Sequence, residues 1–450
     1  MRRAFLASAV ILSLSAIGCI SGRSTPPEAP PGAVPPPAPK PDDSKTDKEY
    51  SDRFAKALGE VAALDAKDAW TAADCERVAA EFGAIGEARG PRGAEALFNA
   101  GIAFERCGRD EDAAKRFSEA LTGNPDLHAA RVHLTLIRHR RTGGKEIDAV
   151  IAELRTTAIV SARYQNVEAL VALATLCLER NNDAPDTDGQ NDRARAVRYL
   201  QSALAVDDSY SPAMNGLALY YLGEARTTAG RKVVKSSTGA PTSTSGGGTQ
   251  AMELAALVCT QAIRRDPTDA VLFNTLGLIE VELGNLGKAA EAFGKARSLR
   301  PGFYEAEMNF AAVNLRFRGF TKAEEAYRSV LSKRADDYDA RVGLALALRG
   351  QIGPEGTEAF AVEAEKELEK AKKIAPDRPE AYYNEGILYE EYLARTSDPS
   401  ALRKAQELFR EFVKKAGASP EMADAVKRAN ERIKEIDSIQ QFMSAAPKSG

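Results

Sequence analysis

A repeat of 34 residues is the feature that most constrains the fold of this 450-residue chain. Two segments, starting at Ala94 and Ala270, align without gaps as AEALFNAGIAFERCGRDEDAAKRFSEALTGNPDL and AVLFNTLGLIEVELGNLGKAAEAFGKARSLRPGF. Both have Gly at the eighth and fifteenth positions, Ala at the twentieth and twenty-seventh, Phe at the twenty-fourth and Pro at the thirty-second. A unit this short cannot bury its apolar face alone, so the repeat predicts a stacked array.

The spacing within the repeat predicts two antiparallel helices. Small residues at the eighth and twentieth positions let the helices approach closely, and the Phe at the twenty-fourth fills the space beside them. The Gly at the fifteenth position turns the chain, and the Pro ends the second helix. The pattern resembles the tetratricopeptide repeat (TPR). That resemblance implies an all-α fold, a right-handed superhelix of helical hairpins.

Weaker copies fill the rest of residues 94–417, giving about eight hairpins in that range. We expect residues 47–93 to form an N-terminal helical cap. Residues 418–450 should form a capping helix with a flexible tail. Two insertions are predicted, near 181–193 and 228–249, the second rich in Gly, Ser and Thr.

The first insertion partly matches a calcium-binding loop. Asp186, Asp188, Gly189 and Asp192 have the spacing of EF-hand loop residues. Such a loop also needs a ligand at its first position and a bidentate Glu at its twelfth, where this chain has Ala184 and Arg195. We therefore interpret the segment as a solvated acidic turn.

The N-terminus has the pattern of a secretory signal. Arg2 and Arg3 precede an apolar run over residues 4–17, which is shorter than the roughly 20 residues that span a bilayer. The sequence AIGC, ending at Cys19, then resembles the lipobox of bacterial lipoproteins. The resemblance implies that residues 1–18 are removed and that Cys19 is acylated. The alternative is an ordinary signal peptide with a chance cysteine.

The residue after Cys19 bears on the destination of the protein. It is Ile20, whereas Asp there retains well-studied Gram-negative lipoproteins at the inner membrane. By that analogy the protein is expected at the outer membrane, facing the periplasm. Residues 19–46 form a linker with nine prolines between Pro26 and Pro41. The linker is either a semi-rigid stalk or a spacer of no fixed length.

The charge balance bears on the partner class. The chain has 61 basic and 64 acidic residues, and loss of the signal leaves a net charge near −5. This mildly acidic, mixed distribution argues against a nucleic-acid surface. Alanine-rich composition with one Trp and few β-branched residues favours helix.

The other four cysteines are assigned to a disulfide or to packing. If helices over 69–88 and 94–107 form a hairpin turning near Pro91, Cys75 and Cys107 each lie sixteen residues from the turn, side by side. The alternative is two separate buried thiols. Cys177 and Cys259 occupy packing positions.

No catalytic or metal-binding pattern is found in the sequence. Neither CxxC, P-loop, GxSxG nor HExxH occurs, and His128, His133 and His139 do not share one helical face. We therefore expect a non-enzymatic protein without metal, cofactor or small-molecule substrate.

The expected binding surface is a concave groove lined by the first helix of each hairpin. The TPR resemblance places motif positions two, five, nine and twelve there, and the candidate residues occupy positions five and nine. These are Phe98, Ile102, Asn274, Leu278, Met308, Ala312, Val342, Leu346, Tyr383 and Ile387. Such an apolar groove suits an amphipathic helix or an extended peptide of a partner. Alternatively, some of these residues pack against the neighbouring repeat.

The whole layout resembles the TPR lipoproteins of the myxobacterial adventurous gliding-motility complex. The lipobox, the proline-rich linker, the long divergent array and the segment RPEAYYNEGILYEEY carry this resemblance. It implies a scaffold that binds periplasmic and outer-membrane motility proteins. The alternative is a TPR lipoprotein for pilus-secretin or outer-membrane-protein assembly, although such proteins are typically shorter and lack a long proline-rich linker.

Overall fold

The computed structural model describes residues 44–67, 70–185, 189–230, 246–353, 358–393 and 399–445, and all regular structure in them is helical. This confirms the predicted all-α class. The signal, Cys19 and most of the linker lie outside the described residues, as do Asp186 and Asp188. Within the described ranges, no helix is both long and apolar enough to cross a bilayer.

The chain divides into two compact units between Leu272 and Phe273. The N-terminal unit contains ten helices within its described residues: α1 (Ser44–Lys67), α2 (Ala72–Arg89), α3 (Ala94–Arg106), α4 (Asp110–Gly123), α5 (His128–Arg141), α6 (Ile147–Arg155), α7 (Val167–Arg180), α8 (Asp192–Val206), α9 (Ser211–Gly230) and α10 (Gly246–Arg265). A π-helical turn, Thr156–Ser161, continues α6. Consecutive helices pack against one another, as hairpins must.

The division falls inside α11 (Ala270–Glu282), and the C-terminal unit continues with eight further helices in its described part. These are α12 (Leu286–Leu299), α13 (Tyr304–Arg316), α14 (Phe320–Lys333), α15 (Tyr338–Gly350), α16 (Glu358–Ile374), α17 (Glu380–Leu388), α18 (Pro399–Ala416) and α19 (Ala423–Ala445). A π-helical turn, Tyr389–Leu393, extends α17. Within the described ranges, the hairpins from α3/α4 to α17/α18 number eight.

Contacts between a glycine and an aromatic ring hold the two helices of a hairpin together. A methyl group added at Gly101 would lie 2.5 Å from Cε1 of Phe117, and one added at Gly277 would lie 2.4 Å from Cε1 of Phe293. Both rings are fully buried. Glycine is therefore needed at the eighth position, because the ring occupies the space in which any side chain would stand.

The turn between paired helices needs a left-handed residue. Gly108 has φ +68° and Gly284 has φ +78°. In the next repeat Arg318 stands at the same position with φ +60°. The sequence thus departs from the ideal repeat at Arg318, and the departure costs free energy because an L-residue adopts this conformation unfavourably.

Successive hairpins of the C-terminal unit are linked by tyrosines at the first position of the repeat. Tyr304 Oη donates to Asp337 Oδ2 at 2.8 Å, just before α15. Tyr338 Oη accepts from the backbone N–H of Ala381 at 3.0 Å, in the first turn of α17. Arg378 lies 3.9 Å over the Tyr338 ring. Each tyrosine thus supports the start of the next first helix.

Both ends of the described array are helical. α2 packs against α3 across a 3₁₀ turn, Gly90–Gly93, which includes the predicted turn at Pro91. A disulfide joins Cys75 of α2 to Cys107 at the end of α3, with Cα atoms 6.4 Å apart. At the other end, α19 packs against α18.

The two predicted insertions differ in how much helix they contain. α9 and α10 both extend into the predicted 228–249 segment, which leaves residues 231–245 outside the described structure. In the acidic segment, Asp192 is the first residue of α8 and is buried. Its carboxylate accepts from Arg180 at 2.6 and 2.8 Å and from the backbone N–H of Asn182 at 2.9 Å. Asp192 is thus already neutralised by this chain, which agrees with a structural turn.

Candidate functional site

The ten side chains assigned to the groove fall into two classes. Six are half-buried: Phe98, Ile102, Leu278, Met308, Ala312 and Leu346. Four are buried: Asn274, Val342, Tyr383 and Ile387. The half-buried apolar side chains lie on α3 in the N-terminal unit and on the successive first helices α11, α13 and α15 in the C-terminal unit, where they leave apolar area for a partner. We call these six side chains the inner strip, which has two members in the N-terminal unit and four in the C-terminal unit.

Tyr383 and Ile387 are buried because the second helix of their hairpin carries large rings. The Tyr383 ring centroid lies 4.9 Å from that of Phe412 and 5.8 Å from that of Phe409. Ile387 belongs to the same core cluster. These two predicted groove residues therefore fill the hairpin core in the free protein, and the packing alternative holds for them.

Asn274 and Val342 are buried for different reasons. The Asn274 side-chain oxygen accepts from Asn309 Nδ2 at 3.0 Å, which links α11 to α13. Val342 lies in the core cluster around Tyr327. The inner strip of the C-terminal unit is consequently narrower than predicted and consists of Leu278, Met308, Ala312 and Leu346.

In the N-terminal unit the inner strip borders an aromatic and acidic cluster. The Phe98 ring centroid lies 5.5 Å from that of Phe117 and 5.5 Å from that of His133. His133 Nδ1 lies 2.6 Å from Glu105 Oε2. Phe98 is thus half covered by intramolecular rings, and one of its edges faces the histidine.

Glu105 is a neutralised carboxylate. Its Oε1 accepts from Arg140 Nη2 at 2.6 Å, and Arg140 also donates to Asp110. Burial alone would raise the pKa of Glu105, but the hydrogen bonds and charges of His133 and Arg140 outweigh it and lower the pKa. This group therefore stays ionised and structural.

Glu168, the second residue of α7, is a carboxylate of the opposite kind. Burial raises its pKa, His133 opposes that shift, and Glu105 adds to it. Within the described structure its carboxylate has neither a hydrogen-bond nor an ion-pair partner. It is a half-buried charge that the N-terminal unit leaves unneutralised.

Arg349 is the corresponding cation of the C-terminal unit. It is the twelfth residue of α15, three residues after Leu346, so both side chains lie on one helix face. Its Nη1 donates to Asn384 Oδ1 of α17 at 3.4 Å. Burial lowers the pKa of Arg349, although Glu391 and two nearby tyrosines pull it upward.

Glu168 and Arg349 are not among the site residues that the sequence predicts. Their positions in the repeat, two and twelve, are groove positions of TPRs, so the register alone could have selected them. What the register could not show is whether another residue of the chain neutralises them.

The two free cysteines of the described residues, Cys177 and Cys259, are unreactive at neutral pH. Cys177 and Cys259 are fully buried. Burial raises the pKa of Cys177 to about 11 and that of Cys259 to about 12. Their thiols therefore stay protonated, as expected of core residues. Nor, among the residues with described side chains, do three or more His, Cys, Asp or Glu converge as metal ligands would.

Comparison with known proteins agrees with this architecture. The tetratricopeptide-repeat family model matches residues 64–128, which includes α2, α3 and α4. No curated protein matches the chain. The match begins before Ala94, so the repeat pattern reaches into the predicted N-terminal cap.

Several solved structures are similar in fold. The Cut9–Hcn1 hetero-tetramer of the APC/C is 13% identical, with a TM-score of 0.51 over 79% of this chain and 59% of that one. TTC0263, a thermophilic TPR protein of Thermus thermophilus, is 21% identical, with a TM-score of 0.34 over 57% of this chain and 99% of that one. Only the first of these two TM-scores exceeds 0.5, and at such low identity it supports the fold alone. The hairpins and the family match together show an all-α protein with the TPR fold, a fold typical of protein-binding scaffolds.

Proposed function

We propose that this protein is a non-enzymatic scaffold that binds partner proteins through its inner strip while a lipid on Cys19 holds it at the outer membrane. The half-buried apolar side chains on the successive first helices α11, α13 and α15 carry the binding part of the proposal. An amphipathic helix or extended segment of a partner can bury this area, and no chemistry in the scaffold is needed.

The anchoring part rests on the sequence. A positive start, a short apolar run and the AIGC motif precede Cys19. Stable anchoring takes more than one acyl chain, which is what lipoproteins of the resembled type carry. A binding surface without catalysis acts by keeping its partners together, so a fixed membrane position gives it a defined place of assembly.

The machine we propose is the gliding-motility apparatus, on the resemblance of the lipobox, linker and divergent array to its TPR lipoproteins. Deletion of the gene should abolish gliding of single cells, and the wild-type gene should restore it. If deletion instead impairs pilus-secretin or outer-membrane-protein assembly and leaves gliding intact, the alternative assignment replaces this one.

A paired substitution tests the binding surface. Met308→Glu places a charge on the inner strip, whereas Leu257→Glu makes a similar change at an exposed site, 54% accessible, on α10. Tagged proteins are captured from gently crosslinked envelopes and compared by mass spectrometry. We expect wild type and Leu257→Glu to recover the same envelope proteins and Met308→Glu to lose them. Equal recovery by all three, with Met308→Glu still folded by circular dichroism, would contradict binding through the strip.

Labelling tests the anchor. Cys19→Ala should abolish incorporation of labelled palmitate and move the protein to the soluble periplasmic fraction. Cys177→Ala is the control. The Cys177 thiol is buried, so its removal should leave labelling unchanged. Undiminished labelling of Cys19→Ala would rule out the lipid anchor at this residue.

A further inference from the structure

In the described part of the C-terminal unit, Arg349 lacks the carboxylate partner that several other half-buried arginines have. Arg349 is half-buried between α15 and α17, where its hydrogen bond within the described structure is the 3.4 Å contact with Asn384. No carboxylate among the described residues lies within salt-bridge distance of its guanidinium. Such a group loses hydration without gaining an ion pair.

Other half-buried arginines of the same unit differ in this respect. Arg297 pairs with Glu307, and Arg341 pairs with Glu367. Arg432 pairs with both Glu390 and Glu391. These pairs show that the fold can supply carboxylates to inward-facing arginines.

The carboxylate that acts on Arg349 electrostatically is already bound to another arginine. Glu391 attracts the Arg349 guanidinium electrostatically, but its carboxylate accepts from Arg432 Nη2 at 2.9 Å. Arg349 therefore keeps donors available for an external acceptor. A guanidinium presents paired N–H groups that match the two oxygens of a carboxylate.

We infer that Arg349, with Asn384 beside it, forms a subsite for a carboxylate of a bound partner peptide. The inference rests on the proposed binding role of the inner strip, because Leu346 of that strip lies one turn from Arg349 on α15. Apolar side chains of the peptide contact the strip, and one acidic group pairs with Arg349. The Asn384 Nδ2 already donates to the backbone oxygen of Glu380 at 2.8 Å, which leaves its second N–H as a further donor for the peptide. The partner is thus an amphipathic segment with at least one carboxylate.

The test uses the full chain and three synthetic peptide libraries. Each has twelve residues randomised over Ala, Leu and Ser and carries a fluorophore. The first has a central Glu and blocked ends. The second has a central Gln and blocked ends, and the third has a central Gln and a free C-terminal carboxylate. Fluorescence anisotropy gives the affinity of each library.

We expect the Glu library, or the library with the free carboxylate, to bind wild type at least about tenfold more tightly than the neutral library. Which of the two does so identifies a side-chain or a C-terminal carboxylate as the ligand. Arg349→Gln should remove this preference. The control Arg316→Gln makes the same charge change at an exposed residue near the end of α13 and should keep it.

Equal affinity of wild type for all three libraries, or a preference that survives Arg349→Gln, overturns the inference. Binding of the neutral library that is lost in Met308→Glu would at the same time support the inner strip as a binding surface. Failure of the subsite and failure of the proposed function are therefore separate results. Absence of binding by every library overturns the subsite, whereas the envelope capture decides the function.

Discussion

Replacing Arg349 by Met should stabilise the free protein, although a charged and partly buried group is lost. Met is unbranched and of similar length, so it can cover the apolar surface that the arginine stem covers now. Arg341→Met on the same helix is the matched comparison. It removes a half-buried arginine that is paired, so the two variants should change stability in opposite directions.

The magnitudes follow from what each substitution leaves behind. Arg349→Met removes an unneutralised, half-buried charge and one long hydrogen bond, which we expect to raise the free energy of unfolding by about 1–2 kcal/mol. Arg341→Met leaves the Glu367 side chain, only 8% exposed, with Lys370 as its remaining cation at 2.6 Å. Because that partner persists, the cost should be about 1–3 kcal/mol rather than that of a fully broken buried pair.

Differential scanning calorimetry at neutral pH measures the Tm of wild type and of the two variants. For a unit of this size each kcal/mol shifts Tm by about 2–4 °C, so Arg349→Met should melt at least about 2 °C above wild type. Arg341→Met should melt below wild type by a similar or larger amount. A lower Tm for Arg349→Met would show that the chain compensates this arginine itself, and the reasoning about its missing partner would then be wrong.

Three further predictions concern the stability of the hairpins. Loss of the bridge between Cys75 and Cys107, which closes a loop of 32 residues, should cost about 3–4 kcal/mol; an unchanged Tm with and without reductant would contradict it. The folded-state pKa of Glu168 is raised, so its charged form destabilises the fold, and Glu168→Gln should raise Tm at pH 7.5. The advantage should disappear below about pH 4, where the carboxyl is protonated in both states, and a pH-independent difference would point to packing instead. Arg318→Gly should stabilise by about 0.5–1 kcal/mol by relieving a left-handed φ, whereas Gly284→Arg should destabilise by about 1 kcal/mol; urea denaturation distinguishes the two signs.

The fold could be predicted because the repeat encodes contacts at fixed spacings. Gly101 and Phe117 are sixteen residues apart, as are Gly277 and Phe293, and each pair meets in the structure as a glycine against a ring. These contacts are local, since they join two helices linked by a short turn. A single sequence is enough to identify them, and the hairpin count follows from repeating them.

The binding surface was less predictable because its exposure depends on neighbouring helices. The repeat register treats Leu346 and Tyr383 as equivalent groove residues. Tyr383 is buried because Phe409 and Phe412 of α18 stand against it, whereas Leu346 remains half-buried. Whether a groove residue is buried therefore depends on the size of the side chains on the adjacent helix. The spacing of the repeat does not contain that information.

The cost of its charge to the free protein marks Arg349 as a binding residue more specifically than its position in the repeat does. Stability by itself favours an apolar residue or a paired cation there, because an unneutralised charge is costly in a partly buried site. Elsewhere in this unit the fold does pair such cations, as Arg341 and Arg297 show. Residues that break a local rule without an internal compensation are expected at sites that bind. The missing carboxylate is thus the property that a partner must supply, and it defines that partner more narrowly than the apolar strip does.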